Sequence, residues 1–208
     1  MAGGIGLGVA PLDIAEGPGD SIKNQYPECV NRHKDTTGAH CVLTESIEQK
    51  TIKVLQVNLN KSNSAMQELT ISLRKETDFI CIITEPSVIR HRLSGIPKHY
   101  NSIPTTKDNS PRAAIFTSPS IPIQEISNLS HRDLVVGLIK CGTKQTALIS
   151  AYMDIKNKPI TDQLQAALDY CKNRGYSILL NADTNSHSIL WGNETNTRGK
   201  KWEELIEE

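Results

Sequence analysis

Four apolar runs of the chain each lead into a side chain that can ligate a hard cation or hold a water. Residues 52–58 (IKVLQVN) end in Asn58, with Asn60 two positions on. Residues 79–84 (FICIIT) run into Glu85, and residues 146–152 end in Tyr152, followed by Asp154. Residues 177–180 (SILL) lead into Asn181-Ala182-Asp183-Thr184-Asn185. Carboxylates, amides and a phenol are oxygen donors, which suit Mg²⁺ or Mn²⁺ better than zinc. Amides and phenols also hydrogen-bond phosphate oxygens without adding negative charge. Taken singly, each residue has a plainer account: Glu85 before Pro86 as a solvated turn, Asn58 and Asn60 as turn formers, Tyr152 as a core aromatic, Asp183 and Asn185 as an Asx-turn. Together they describe polar groups delivered from strand ends onto one rim, where rigid strands fix their positions.

The elements that would position them follow from periodicity. Residues 52–58 alternate as a strand, and FICIIT reads as a strand buried on both faces. Residues 62–77 between them place Ala65, Met66, Leu69 and Leu73 on one helical face behind a Ser/Asn start. Short strands are expected at 99–103, 113–117 and 121–126 in a proline-punctuated stretch. Two longer runs, 133–140 and 146–152, flank Cys141-Gly142-Thr143-Lys144 as a hairpin. Residues 160–174 form the clearest amphipathic helix, stopped by Gly175. A strand at 177–180 and a last helix at 198–206 complete the order. The pattern predicts an α/β fold, sheets covered by helices.

The segments LQVNLNKS, ICIITEP, PRAAIF, HRDL, ISAY, NADTNSHSILWGN and NTRG, in this order and spacing, resemble the endonuclease/exonuclease/phosphatase superfamily. Its relatives include apurinic/apyrimidinic endonucleases and deoxyribonuclease I. More narrowly, the segments look like the endonuclease domain of non-LTR (jockey-like) retrotransposons. The resemblance covers roughly residues 51–207 and implies a deoxyribonuclease I-like two-sheet α/β sandwich flanked by helices. It implies Mg²⁺-dependent (or Mn²⁺-dependent) nicking of double-stranded DNA to prime reverse transcription. The domain would act in the nucleus, within a longer polyprotein that brings element RNA and a reverse transcriptase.

On matching positions the resemblance assigns Glu85 to metal binding, with Asn58 and Asn60 in the same metal and phosphate network. Tyr152 would lie near the scissile phosphate. Asp183 would orient or deprotonate the attacking water, with Asn185 as its partner, while the cation neutralises charge on the phosphate and leaving oxygen. His187 and Arg198 are candidate phosphate or DNA contacts, each with a structural alternative: His187 in packing, Arg198 in a helix-entry turn. Trp191 would pack the loop, and Lys156, Lys158, Lys200 and Lys201 could meet the DNA backbone or simply be solvated.

The family also continues into further strands and a Ser-Asp-His segment, whereas no histidine follows His187 here. The resemblance therefore implies a domain incomplete at its C-terminus, lacking its last strands, and little or no nicking by these 208 residues alone. The alternative is an inactive truncated remnant or nucleic-acid-binding module without the terminal Asp-His pair. A phosphoinositide or other phosphoester substrate is a third reading, against which the LWG and NTRG elements stand.

Charge divides the chain into unlike parts. Its 23 Lys and Arg balance 23 Asp and Glu, which excludes a uniformly basic nucleic-acid coat or an acidic tail protein. Yet residues 51–202 carry 19 Lys and Arg against 12 Asp and Glu, while the first 50 residues and the final six are acidic. Residues 1–50 hold the glycine-rich opening and read as a low-order leader before a domain at 51–208. Gly4 to Gly8 lack the strand-and-helix context of a phosphate loop, and the leader lacks the charged start and apolar core of a signal peptide. Cys29, His33, His40 and Cys41 match no zinc spacing well, leaving a metal knuckle as the lesser reading beside an unstructured tail. Cys81, Cys141 and Cys171 lie in apolar runs and are expected as buried free thiols of an intracellular protein. No stretch approaches a membrane span.

Overall fold

The computed structural model describes residues 51–90, 92–104 and 110–207. The glycine-rich leader and the Cys29, His33, His40 and Cys41 cluster lie outside the described residues.

Two β-α-β units frame the molecule. The first runs from β1 (Lys53–Asn58) through α1 (Asn63–Leu73) to β2 (Phe79–Thr84), which pairs parallel to β1. A short hairpin, β3 (Val88–Ile89) and β4 (Arg92–Leu93), follows, then β5 (Asn101–Ile103), β6 (Ala113–Thr117) and β7 (Gln124–Glu125). The long hairpin of β8 (Leu134–Cys141) and β9 (Lys144–Tyr152) leads into the second unit: β9, α2 (Asp162–Asn173) and β10 (Ser177–Asp183), again a parallel pair. A one-turn 3-10 helix at Ile189–Trp191 precedes α3 (Thr197–Glu207). The strands assemble into two four-stranded sheets, β1-β2-β6-β5 and β10-β9-β8-β7, each with one parallel pair and antiparallel pairs beyond it.

The apolar alternation explains how the sheets stack. In β2, Ile80 and Ile82 join Ile115 of β6, Val135 and Ile139 of β8 and Leu148 of β9 in a core between the sheets. The alternate residues Phe79, Cys81 and Ile83 face outward onto Met66 and Leu73 of α1. Leu134, Val136, Ala147, Ile149 and Ala151 likewise face outward onto Leu164, Leu168 and Cys171 of α2 and Trp202 of α3. The result is a helix–sheet–sheet–helix sandwich, in which every residue of β2 is buried. Such double-sided burial makes FICIIT almost uniformly apolar, and each large side chain contributes about 1.5–3 kcal/mol. Between the sheets the fit is close. A Cβ on Gly137 would come within 2.6 Å of both Ile103 Cδ1 and Ile123 Cδ1.

Local signals set the helix limits. Ser62 caps α1 by accepting from Ala65 N at 3.2 Å, and Thr161 caps α2 by accepting from Leu164 N at 3.2 Å. Gly175, at φ +67°, lets Gly175 N and Tyr176 N close onto the carbonyls of Lys172 and Cys171, the paired bonds that end α2. The α1 helix stops at Leu73, short of the expected 77, because Leu73 is its last core residue and the chain must turn at once into β2. The expected strand at 121–126 shrinks to Gln124–Glu125, since Pro122 lacks an N–H and Ile121 is used in the turn from Ser118. β10 runs past 180 to Asp183, because the buried Asn181 amide is satisfied by Ile82 O at 3.3 Å in the facing sheet. Cys81, Cys141 and Cys171 are buried free thiols, and burial raises the pKa of Cys81 and of Cys171. No helix among the described residues is long and apolar enough to cross a membrane.

Candidate active site

The carboxyl ends of all four parallel strands fall on one rim. Asn58 closes β1, Thr84 and Glu85 close β2, Tyr152 closes β9 and Asp183 closes β10. Because β6 and β8 run antiparallel to β2 and β9, their first ends reach the same rim, bringing Arg112 and Asp133 there. Buried polar ties lock the two sheets just beneath: Ser150 Oγ donates to Ile83 O at 2.8 Å, beside the Asn181–Ile82 bond.

Across this mouth Asn58 Nδ2 donates to Asp183 Oδ2 at 2.6 Å, joining the two sheets through residues 125 apart in the chain. Asn58 Oδ1 accepts from Asn60 N at 2.8 Å, so Asn60 enters the network through its backbone while its side chain is exposed. Asp183 Oδ1 accepts from Asn185 N at 3.4 Å, and Asn185 Nδ2 donates to Met153 O at 3.0 Å. The Asx-turn reading of this pair and its place at the rim therefore coexist. Tyr152 is the register partner of Asp183. Glu85 lies one residue beyond Thr84, the register partner of Asn58, and its Oε1 stands 3.8 Å from Lys61 Nζ. Asn60, Lys61, Glu85 and Asn185 all have φ between +45° and +56°. Such conformations are costly for side chains other than glycine and gather where a site holds its backbone in place.

A cleft of about 870 Å³ opens beside Asn58 and Asp183, with Thr84, Asn185, His187 and Trp191 on its walls. The buried Trp202 also lines it, with an indole N–H that has no acceptor among the described residues. His187 takes two positions at once. Its side chain is an exposed wall of the cleft, and its backbone is a fixed strut, since His187 O accepts from Asn196 N at 3.0 Å and presses on Gly199. Trp191 is 37% exposed and donates Nε1–H to Ser186 O at 3.2 Å. Arg198 turns inward: it donates to the carbonyls of Thr184, Asn157, Asp154 and Met153 at 2.8–3.3 Å. This is the geometry of a clamp joining the loops after β9 and β10, and burial lowers the pKa of its guanidinium.

Arg112 and Asp133 carry no role from the sequence, although PRAAIF and HRDL display them, and Asp154 stands there only among the polar residues that follow strand ends. Arg112 Nε and Nη2 hold both oxygens of Asp133 at 2.6 and 2.5 Å, and Nη1 holds Asp154 Oδ2 at 2.8 Å. Its guanidinium also lies 4.4 Å from the centre of the Tyr152 ring. The hydrogen bonds to Asp133, ahead of those to Asp154, raise the arginine's pKa further, and Arg112 in turn lowers that of Asp154. The usable signal was a charged residue standing immediately before a buried strand.

The donor set also bears on a cation. Among the described residues no group of three or more His, Cys, Asp or Glu side chains gathers as a metal cage. What the rim offers is the carboxylates of Glu85 and Asp183, with the Asn58 amide bonded to the latter. That fits Mg²⁺, which keeps much of its water and takes one or two carboxylates plus substrate phosphate, and does not fit structural zinc.

The fold and rim define a two-sheet α/β sandwich with its polar site at the carboxyl ends of paired parallel strands. The same architecture is found in the solved endonuclease domain of TRAS1, a telomere-specific non-LTR retrotransposon. The likeness has a TM-score of 0.62 at 24% identity, and spans 75% of this chain and 69% of that one. No protein-family model matches the chain, and no curated protein does.

Proposed function

We propose that residues 51–207 form a metal-dependent phosphodiesterase of the endonuclease/exonuclease/phosphatase superfamily that nicks double-stranded DNA. The observation that carries it is the Asn58–Asp183 contact at the mouth of the cleft, formed where both parallel pairs end. The TRAS1 fold likeness supports the same reaction class. Asn58 fixes one oxygen of Asp183 and Asn185 N approaches the other, so the carboxylate is oriented to accept a proton from water. Tyr152 adds a phenol without negative charge. Glu85, with Asn58 and Asn60, would hold Mg²⁺ or Mn²⁺, which supplies charge neutralisation at the phosphate and leaving oxygen. His187, on the cleft wall, would meet DNA, whereas a phosphate reaching Arg198 would compete with four carbonyls. In this reading the domain serves a non-LTR retrotransposon polyprotein, opening chromosomal DNA for primed reverse transcription beside element RNA and a reverse transcriptase.

The test is relaxation of a supercoiled plasmid, in which one cut per molecule is visible even at slow turnover. Slow nicking with Mg²⁺ or Mn²⁺ is expected, abolished by EDTA and reduced at least roughly 100-fold in Asp183→Ala. Equal failure of both proteins with either cation would overturn the enzymatic reading and leave a nucleic-acid-binding module.

A further inference from the structure

Resting on that reading of the rim, we propose that Arg112 is a positioning residue: it sets the Tyr152 phenol beside Asp183 and couples the two sheets' halves of the site. Its location comes from topology. Residue 112 opens onto β6, whose start meets the end of β2, so its backbone carbonyl accepts from Glu85 N at 2.8 Å. Its side chain crosses to the other sheet, to Asp133 at the start of β8 and to Asp154 just past β9. One residue thus holds the backbone of Glu85 on one side and the surroundings of Tyr152 on the other.

The chemistry requires an arginine. The edge of the guanidinium serves two carboxylates while its central carbon lies over the Tyr152 ring. The Tyr152 hydroxyl makes no hydrogen bond among the described residues, so the backbone and this overlying cation are what orient the ring. The Arg112 side chain is only 12% exposed, and burial of this kind keeps one arrangement. It also offsets negative charge next to the place where an anionic substrate would lie, which Asp133 and Asp154 alone would repel. Lysine keeps the charge but has neither the fork nor the plane.

The experiment uses the full chain with Arg112→Lys, Tyr152→Phe and the double variant. In plasmid nicking, Arg112→Lys is expected to lose roughly tenfold or more in kcat with KM changed less than about threefold. The double variant is expected to be no slower than the worse single one, because both remove the same positioned phenol. Multiplying losses, or an undiminished kcat in Arg112→Lys, overturns the proposal. NMR of ring-labelled tyrosine separates it from the nuclease reading. The Tyr152 signal, identified by its loss in Tyr152→Phe, is expected to shift in Arg112→Lys while those of Tyr170 and Tyr176 stay in place. An unmoved Tyr152 signal sinks the positioning role even in an active enzyme. A shifted signal in a chain that never cuts keeps that role and removes only the nuclease.

Discussion

Asp154 shows how one side chain links the rim to the stability of the whole. Arg112 holds its carboxyl below the ordinary value of 3.8. A depressed folded-state pKa means the stabilisation is fully present above that ordinary value and is lost as pH falls through the folded one. Melting temperature should therefore drop as pH is lowered from about 4 towards 2. Asp154→Asn should be less stable at pH 7 and show a shallower acid decline, which thermal melts across that range would check. An identical decline in both proteins would remove Asp154 from the account. At this scale the sequence displayed Asn58, Glu85, Tyr152 and Asp183 plainly, because each stands at or within three residues of the end of an apolar run. Arg112 and Asp133 were harder to read. They precede their strands, and only antiparallel pairing, a property of the assembled sheets, brings strand beginnings to the rim where other strands end.

Gly137 tests the fit between the sheets at the level of elements. Valine there must displace Ile103 and Ile123, both inner-face side chains, and overpacking of this kind costs about 1–3 kcal/mol. Gly137→Val should lower the urea midpoint, and Ile123→Ala in the same chain should return part of the loss. A neutral Gly137→Val would mean that the sheets can separate locally. The elements carrying strong patterns were legible: FICIIT, the long β8–β9 hairpin and α2 lie where periodicity places them. The β3–β4 hairpin was not, since two-residue strands show no alternation. Neither was the end of β10, where a polar Asn181 remains in the strand because the facing sheet supplies its acceptor.

For the whole molecule, the excess of 19 Lys and Arg over 12 Asp and Glu in residues 51–202 predicts how the proposed DNA substrate would be bound. DNA affinity measured by fluorescence anisotropy should fall roughly tenfold or more between about 50 and 200 mM salt. Lys156→Gln with Lys200→Gln should flatten that dependence. Lys158 and Lys201, already paired with Asp162 and Glu204, should matter less. Salt-independent affinity would refute a phosphate-facing surface. The contact between Asn58 and Asp183 also has a consequence in time, because 125 positions separate them. At about 5–20 residues per second of synthesis, the first waits roughly 6–25 s for the second to be made. A nascent chain thus carries only half of this contact, and the proposed centre is assembled when the second β-α-β unit docks on the first.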